Sequence, residues 1–201
     1  MRKIPEPLQA VVDQLGRLPG FGPKSALRAA IVLLKWPESQ TRNLGLAIQQ
    51  LREKLSLCSR CGALTDQNPC SICRDATRER ALLCVVAEWD SMLTLEQGGF
   101  YRGQYLILGG LLAPLENINP EQLDLGRLDQ RLAEGEVAEI ILGLGATVEA
   151  ENTASHICLR VNRMFPDIRV TRLAHGIPLG SEVKFMDSET LRQSLKYRQI
   201  L

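Results

Sequence analysis

Four of the six cysteines fall in two Cys-x-x-Cys pairs, Cys58-Ser-Arg-Cys61 and Cys70-Ser-Ile-Cys73, with eight residues between them. Each pair can form a knuckle that presents two thiolates, and the intervening loop closes a tetrahedron around one Zn²⁺. Gly62, Asn68 and Pro69 supply turn residues for that loop. A redox Cys-x-x-Cys stands alone beside a strand and a helix, and a disulfide scaffold belongs to secreted chains. Two spaced pairs point to metal instead. Four thiolates fill the coordination shell, so Cys58, Cys61, Cys70 and Cys73 are expected to hold one structural Zn²⁺ with no open position for catalysis. Cys84 and Cys158 lie in apolar stretches and are expected as buried small hydrophobic residues.

A second chemical signature is the glycine-rich stretch Leu18-Pro19-Gly20-Phe21-Gly22-Pro23-Lys24-Ser25. Gly20 and Gly22 permit a tight turn and let a phosphate approach main-chain N–H groups with no Cβ in the way. A helix beginning at Lys24 would aim its positive dipole end at the same phosphate, and Lys24 and Arg28, four apart, share one face beside it. Apolar residues at helical spacing precede the stretch (Leu8, Val11, Val12, Leu15, Leu18) and follow it (Leu27, Ala30, Ile31, Leu34), so two helices flank the turn. A nucleotide P-loop is disfavoured, because Pro23 separates Gly22 from Lys24 and a helix rather than a strand comes before. What remains is a helix-hairpin-helix that binds phosphate backbone without reading bases, or an αα-hairpin whose glycines serve packing.

The third set is acidic. After Arg80 the pattern changes to short apolar runs at Leu82–Val86, Tyr105–Leu108, Glu139–Leu144 and Arg169–Leu173, alternating with helical stretches near Ser91–Gln97, Gly126–Glu134 and Thr153–Phe165. Alternation of this kind predicts a mainly parallel sheet whose ligand edge lies at the carboxyl ends of the strands. Glu88 and Asp90 follow the first strand, and Glu149-Ala150-Glu151 follow the third in a loop leading to a helix. Grouped carboxylates there could hold Mg²⁺ for phosphoryl transfer. The stretch resembles the Toprim domain, in which a glutamate closes the first strand and an acidic pair follows a later one. Ala87 occupies that first position, and Glu88 is no substitute because neighbouring side chains on a strand point to opposite faces.

These sites need a soluble α/β framework, and the bulk properties allow one. The chain has 201 residues, 45% of them hydrophobic and 23% charged, which excludes a disordered or fibrous chain. No apolar run approaches the roughly 20 residues that cross a bilayer, and Pro5, Glu6 and Pro7 interrupt any signal-peptide core. The expected location is therefore cytoplasmic, away from membranes. The net charge of +1 conceals a partition. Residues 1–57 carry nine Lys or Arg against four Asp or Glu, residues 81–150 three against eleven, and residues 151–201 eight against five. A basic end suits a polyanion and an acidic middle suits a basic partner.

Four stretches, LPGFGPKSA (Leu18–Ala26), the cysteine pairs, TVEAENT (Thr147–Thr153) and TRLAHGIPLGSE (Thr171–Glu182), occur in an order that resembles the RecR family of bacterial recombination mediators. The resemblance covers nearly the whole chain. It implies a multi-module α/β fold: a helix-hairpin-helix DNA-binding module over 1–55, a four-cysteine zinc finger over 56–78, a Toprim domain over 79–175, and a C-terminal Walker-B-like segment and helix over 176–201. No Walker A lysine accompanies that segment, so ATP hydrolysis does not follow, and His156 and His175 are read as structural. The resemblance implies no enzyme but a DNA-binding clamp and adaptor in recombinational repair. Its members act with RecO, and in many bacteria RecF, to help load RecA onto single-stranded DNA at gaps. It further implies self-association into a ring-like tetramer and sequence-independent binding to single-stranded or gapped duplex DNA. By position, Gly20, Gly22, Lys24 and Arg28 would meet DNA, and Glu149 and Glu151 would lie on the acidic face that meets RecO. Many members carry glutamate, aspartate and Asn-Pro where this chain has Ala87, Ser91 and Gly145-Ala146, which weakens the competing reading as a Mg²⁺-dependent nuclease or primase. A protein-only zinc scaffold is the third reading, and it predicts no salt-sensitive DNA binding.

Overall fold

The computed structural model describes residues 4–174 and 176–198; His175 lies outside them. The chain divides after Leu55 into two compact units. The first holds α1 (Glu6–Leu15), α2 (Pro23–Lys35) and α3 (Glu38–Lys54). The apolar spacing extends to Leu18, but α1 stops at Leu15, with Gly16 as its cap and Pro19 barring continuation. Val12 of α1 packs on Ala26 and Ala30 of α2, small residues that let the helices approach, with Leu8, Leu15 and Leu27 around them. The sequence reading did not anticipate α3. It starts behind Pro37 and places Arg52 and Lys54 in its last turn, where cations suit the dipole. None of its residues is buried, and Ile48 and Leu51 are 66% and 58% exposed.

In the second unit, β1 (Ser56–Leu57) and β2 (Leu64–Thr65) pair antiparallel, and the short α4 (Ser71–Arg74) follows. Next come β3 (Glu79–Val86), α5 (Trp89–Gln97), β4 (Gly103–Ile107), α6 (Leu125–Ala133), β5 (Glu139–Gly143), α7 (Val148–Met164), β6 (Arg169–Arg172) and α8 (Ser188–Lys196). The four long strands form one wholly parallel sheet in the order β4-β3-β5-β6. Its inner strands carry apolar runs, Leu82–Val86 in β3 and Ile140–Leu142 in β5, because both faces are covered there, whereas the edge strand β6 (Arg-Val-Thr-Arg) has no buried residue. Leu83, Val85, Leu106, Ile140 and Leu142 face α6 and α7 and meet Leu128, Ile157 and Val161 there. The alternate residues Cys84, Val86, Tyr105 and Ile107 face the other way, onto Met92 of α5 and the four paired cysteines.

Two expectations change. The helix expected from about Thr153 begins at Val148, because the Thr147 hydroxyl caps it by accepting from the Ala150 N–H at 3.2 Å. Glu149 and Glu151 therefore occupy a first helical turn rather than a loop. Cys158 is only half-buried, because it sits on the flank of α7 beside the edge strand β6 rather than toward the sheet.

Candidate zinc centre, nucleic-acid interface and acidic edge

The first cysteine pair is shaped by a tight knuckle: the Gly62 N–H donates to the Cys58 carbonyl at 2.9 Å, and the Cys58 N–H to Ala63 at 2.8 Å. Gly62 has φ +77°, a conformation that a side chain would strain, and a Cβ there would press on the Ile107 carbonyl at 3.2 Å. Asn68 accepts from the Ser59 N–H at 2.9 Å and ties the loop back to the knuckle. Cys70 caps α4 and Cys73 lies within it, so the second pair is presented by a helix start. The four sulfurs are buried and lie within 4.8 Å of one another. A tetrahedral ion with Zn–S bonds of about 2.3 Å sets sulfurs about 3.8 Å apart, and Cys61 and Cys70 stand at 3.6 Å. Hydrogen bonds from Cys61 and Cys73 pull the Cys70 thiol down to about 2, while the same sharing pushes Cys61 up to about 12 and Cys73 up as well. A dication at the centre of four such thiols would favour the thiolate form of each.

Two backbone and side-chain ties join this centre to the sheet. The Ile107 N–H donates to the Cys61 carbonyl at 2.8 Å, so the knuckle covers the outer edge of β4. Arg60 reaches Glu134 at 2.7 Å and Glu136 at 3.7 Å, both at the end of α6. The spacing of the cysteines could not reveal either tie, although Arg60 inside the first pair was a visible candidate.

At the hairpin, Gly20 has φ +80°, and Gly22, with extended backbone, caps α2 without a side-chain bond. Nothing lies within 4 Å of a Cβ built at either glycine, so the main chain is open to solvent there. Among the described residues nothing accepts from the N–H groups of Gly22, Lys24 or Ser25. Lys24 and Arg28 are exposed one turn apart on α2, and neither has a carboxylate partner among the described residues. The structure thus gathers all four hairpin residues into one open, positively charged helix start.

The carboxyl ends of β3 and β5, neighbours in the sheet, flank the point where the strand order reverses, the usual crevice of such folds. Glu88 caps α5 and Asp90 follows in its first turn, both exposed. Glu149 is exposed at the start of α7, where a backbone N–H at its own position and the Thr147 hydroxyl hold its carboxyl below the usual range. Glu151 is engaged: Nη1 of Arg172 donates to both of its oxygens, at 2.7 and 2.9 Å. Ala87 is buried and offers no ligand. Among the described residues the four cysteines converge as metal ligands and these carboxylates do not. Thr153, unforeseen, is fully buried beneath them and links α7 to the loop after β4 by accepting from the Leu112 N–H at 2.8 Å. A threonine inside an apolar helical period was its only trace in the sequence.

Comparison with known proteins gives one answer along the chain. Residues 8–52 match the helix-hairpin-helix model of RecR, 55–75 its four-cysteine zinc finger domain, 81–174 the Toprim domain and 176–199 the RecR C-terminal model. Recombination protein RecR of Nitratidesulfovibrio vulgaris is 65% identical over 201 residues, and that of Maridesulfovibrio salexigens 54%, each alignment covering both chains completely. The RecR protein of Moorella thermoacetica is 42% identical over 98% of each chain. The zinc-finger match and the converging thiols together assign a structural zinc ion to Cys58, Cys61, Cys70 and Cys73.

Proposed function

Because the chain belongs to the RecR family of recombination proteins, we propose that it is a non-catalytic DNA-binding clamp and adaptor in recombinational repair. It works with RecO, and with RecF where that protein takes part, to help load RecA onto single-stranded DNA at gaps. The hairpin carries this reading. An open turn at Gly20 and Gly22, N–H groups at the start of α2 with no acceptor and the cations Lys24 and Arg28 with no carboxylate partner among the described residues form a phosphate-backbone site that reads no bases. Binding of single strands or gapped duplex without sequence preference follows from contacts of that kind.

Self-association into a ring of four is supported by apolar surface on both units. In the first, α3 leaves Leu44, Ile48 and Leu51 without cover; in the second, Leu179, Phe185 and Leu195 of the C-terminal segment are exposed. The acidic edge, with Glu88, Asp90 and Glu149 outside any ion pair among the described residues, suits a basic partner such as RecO. Catalysis at that edge is disfavoured because Ala87 supplies no ligand and the flanking carboxylates do not converge. Cleavage or synthesis that needs Mg²⁺ and disappears in Glu149→Ala would overturn the non-catalytic reading.

The test is DNA binding by the zinc-loaded full chain across a salt series, with and without RecO, for wild type and Lys24→Ala/Arg28→Ala. Each phosphate contact contributes about 0.7 on single strands and about 0.9 on duplex to the slope of log affinity against log salt, so the double variant should flatten the slope by about 1.4 or 1.8 per hairpin engaged. Undiminished binding by the variant would move DNA elsewhere, and no binding by either protein would favour a protein-only adaptor.

A further inference from the structure

The two acidic residues at the start of α7 stand in different circumstances. Glu149 has no cationic partner among the described residues, whereas both oxygens of Glu151 receive Nη1 of Arg172 at 2.7 and 2.9 Å. Arg172 is the last residue of β6, and the Leu173 N–H still reaches the Leu142 carbonyl at 3.2 Å before the chain leaves the sheet. The ion pair thus sits where the C-terminal segment departs. Across a cleft of about 770 Å³ it faces Asp187, the cap of α8, and Thr190 and Gln193 in the first two turns of that helix. At the far end of that helix, Tyr197 is drawn toward ionisation by Lys196 and also by Arg172.

We propose that Glu151 is a positioning residue, whose carboxylate fixes Arg172 and so holds the take-off of the C-terminal segment against α7, leaving Glu149 as the carboxylate available to a basic partner. This rests on the reading of the acidic edge given above, but it is tested independently of it. A carboxylate already neutralised by a guanidinium attracts a second cation weakly, because the pair presents a dipole rather than a net charge. A partner contact and a latch therefore respond differently to reversal of the pair. Exchanging the two charges restores a latch and cannot restore a carboxylate at position 151.

The experiment is amide hydrogen exchange over residues 176–198 of the zinc-loaded full chain at fixed protein concentration, in wild type, Glu149→Gln, Glu151→Gln, Arg172→Gln and Glu151→Arg/Arg172→Glu. Loss of a partly exposed pair should speed local opening roughly two- to fivefold. That acceleration is expected in Glu151→Gln and Arg172→Gln, with wild-type exchange in Glu149→Gln and return to within about twofold of wild type in the charge exchange. Unchanged exchange in Glu151→Gln, or a charge-exchanged protein as fast as the single variants, would overturn the proposal. RecO binding is measured on the same proteins. Failure of Glu149→Gln to weaken it would overturn the acidic-edge reading while leaving the latch to be judged by exchange alone.

Discussion

Replacing Thr153 by valine isolates one buried hydroxyl beneath the acidic edge. Its Oγ1 donates to the Glu149 carbonyl at 2.6 Å and accepts from the Leu112 N–H at 2.8 Å, and the side chain is fully buried. Valine keeps the shape and the β-branch, so no cavity opens and the rotamer in the helix is retained. What changes is that the Leu112 N–H loses its acceptor in a place water does not reach, which costs about 1–3 kcal/mol, while the extra apolar methyl returns up to about 0.8 kcal/mol. With the full return the net loss is about 0.2–2.2 kcal/mol, or up to roughly 9 °C in Tm for a chain of this size. Urea unfolding should show the midpoint falling with an unchanged m value, and hydrogen exchange at Leu112 should accelerate. DNA binding through the hairpin should stay at the wild-type level, because the lesion lies in the other unit. A variant as stable as wild type or more stable, or unchanged Leu112 exchange, would refute the claim that this bond fixes the loop after β4.

Two further perturbations separate conformational need from ligand access. Gly20→Ala must hold a side chain at φ +80° and should cost about 1–2 kcal/mol in stability of the first unit. Gly22→Ala meets no steric barrier, so thermal unfolding should move little while affinity for a single-stranded oligonucleotide falls as the new methyl enters the phosphate approach; equal affinity would remove Gly22 from the interface. Chelation of zinc should lower Tm and reduce the near-ultraviolet signal of Tyr101 and Tyr105, reversibly on adding Zn²⁺, because these rings pack in the cluster that holds the four cysteines. A signal that survives full zinc loss would show the sheet to be independent of the metal.

Much of this was legible in the sequence, and the gaps have definite causes. Cysteine spacing specifies a zinc site because four ligands on two short turns need no distant element to converge. The parallel sheet was legible because runs such as Leu82–Val86 are apolar on both faces, a pattern a half-exposed strand does not show. The start of α7 was missed because its first turn, Val148 to Glu151, is held by a cap and a dipole rather than by apolar period, and only Ala150 of that turn is buried. The third helix was missed because none of its residues is buried, so Leu44, Leu46, Ile48 and Leu51 follow no core-facing period. The pairing of Glu151 with Arg172, 21 residues apart, depends on the parallel return of β6, which no local pattern encodes.

The placement of the zinc centre explains how so small a sheet is covered. Four parallel strands have two apolar faces, and α6 and α7 cover only one. A single helix of nine residues, α5, is left for the other, too little to shield Cys84, Val86, Tyr105 and Ile107. The cysteine module completes that layer. It docks its knuckle on the β4 edge through Ile107, packs its cysteines beside Met92, and anchors Arg60 on Glu134 and Glu136. Metal ligation supplies in a short segment the rigidity that a second helix would otherwise bring, since a structural zinc site stabilises by about 10–16 kcal/mol on its own. The helix it packs beside is the one that begins with Glu88 and Asp90. The cysteine module therefore packs against the helix that carries Glu88 and Asp90, while the Thr153 bond and the cap at Thr147 support the start of α7, which carries Glu149.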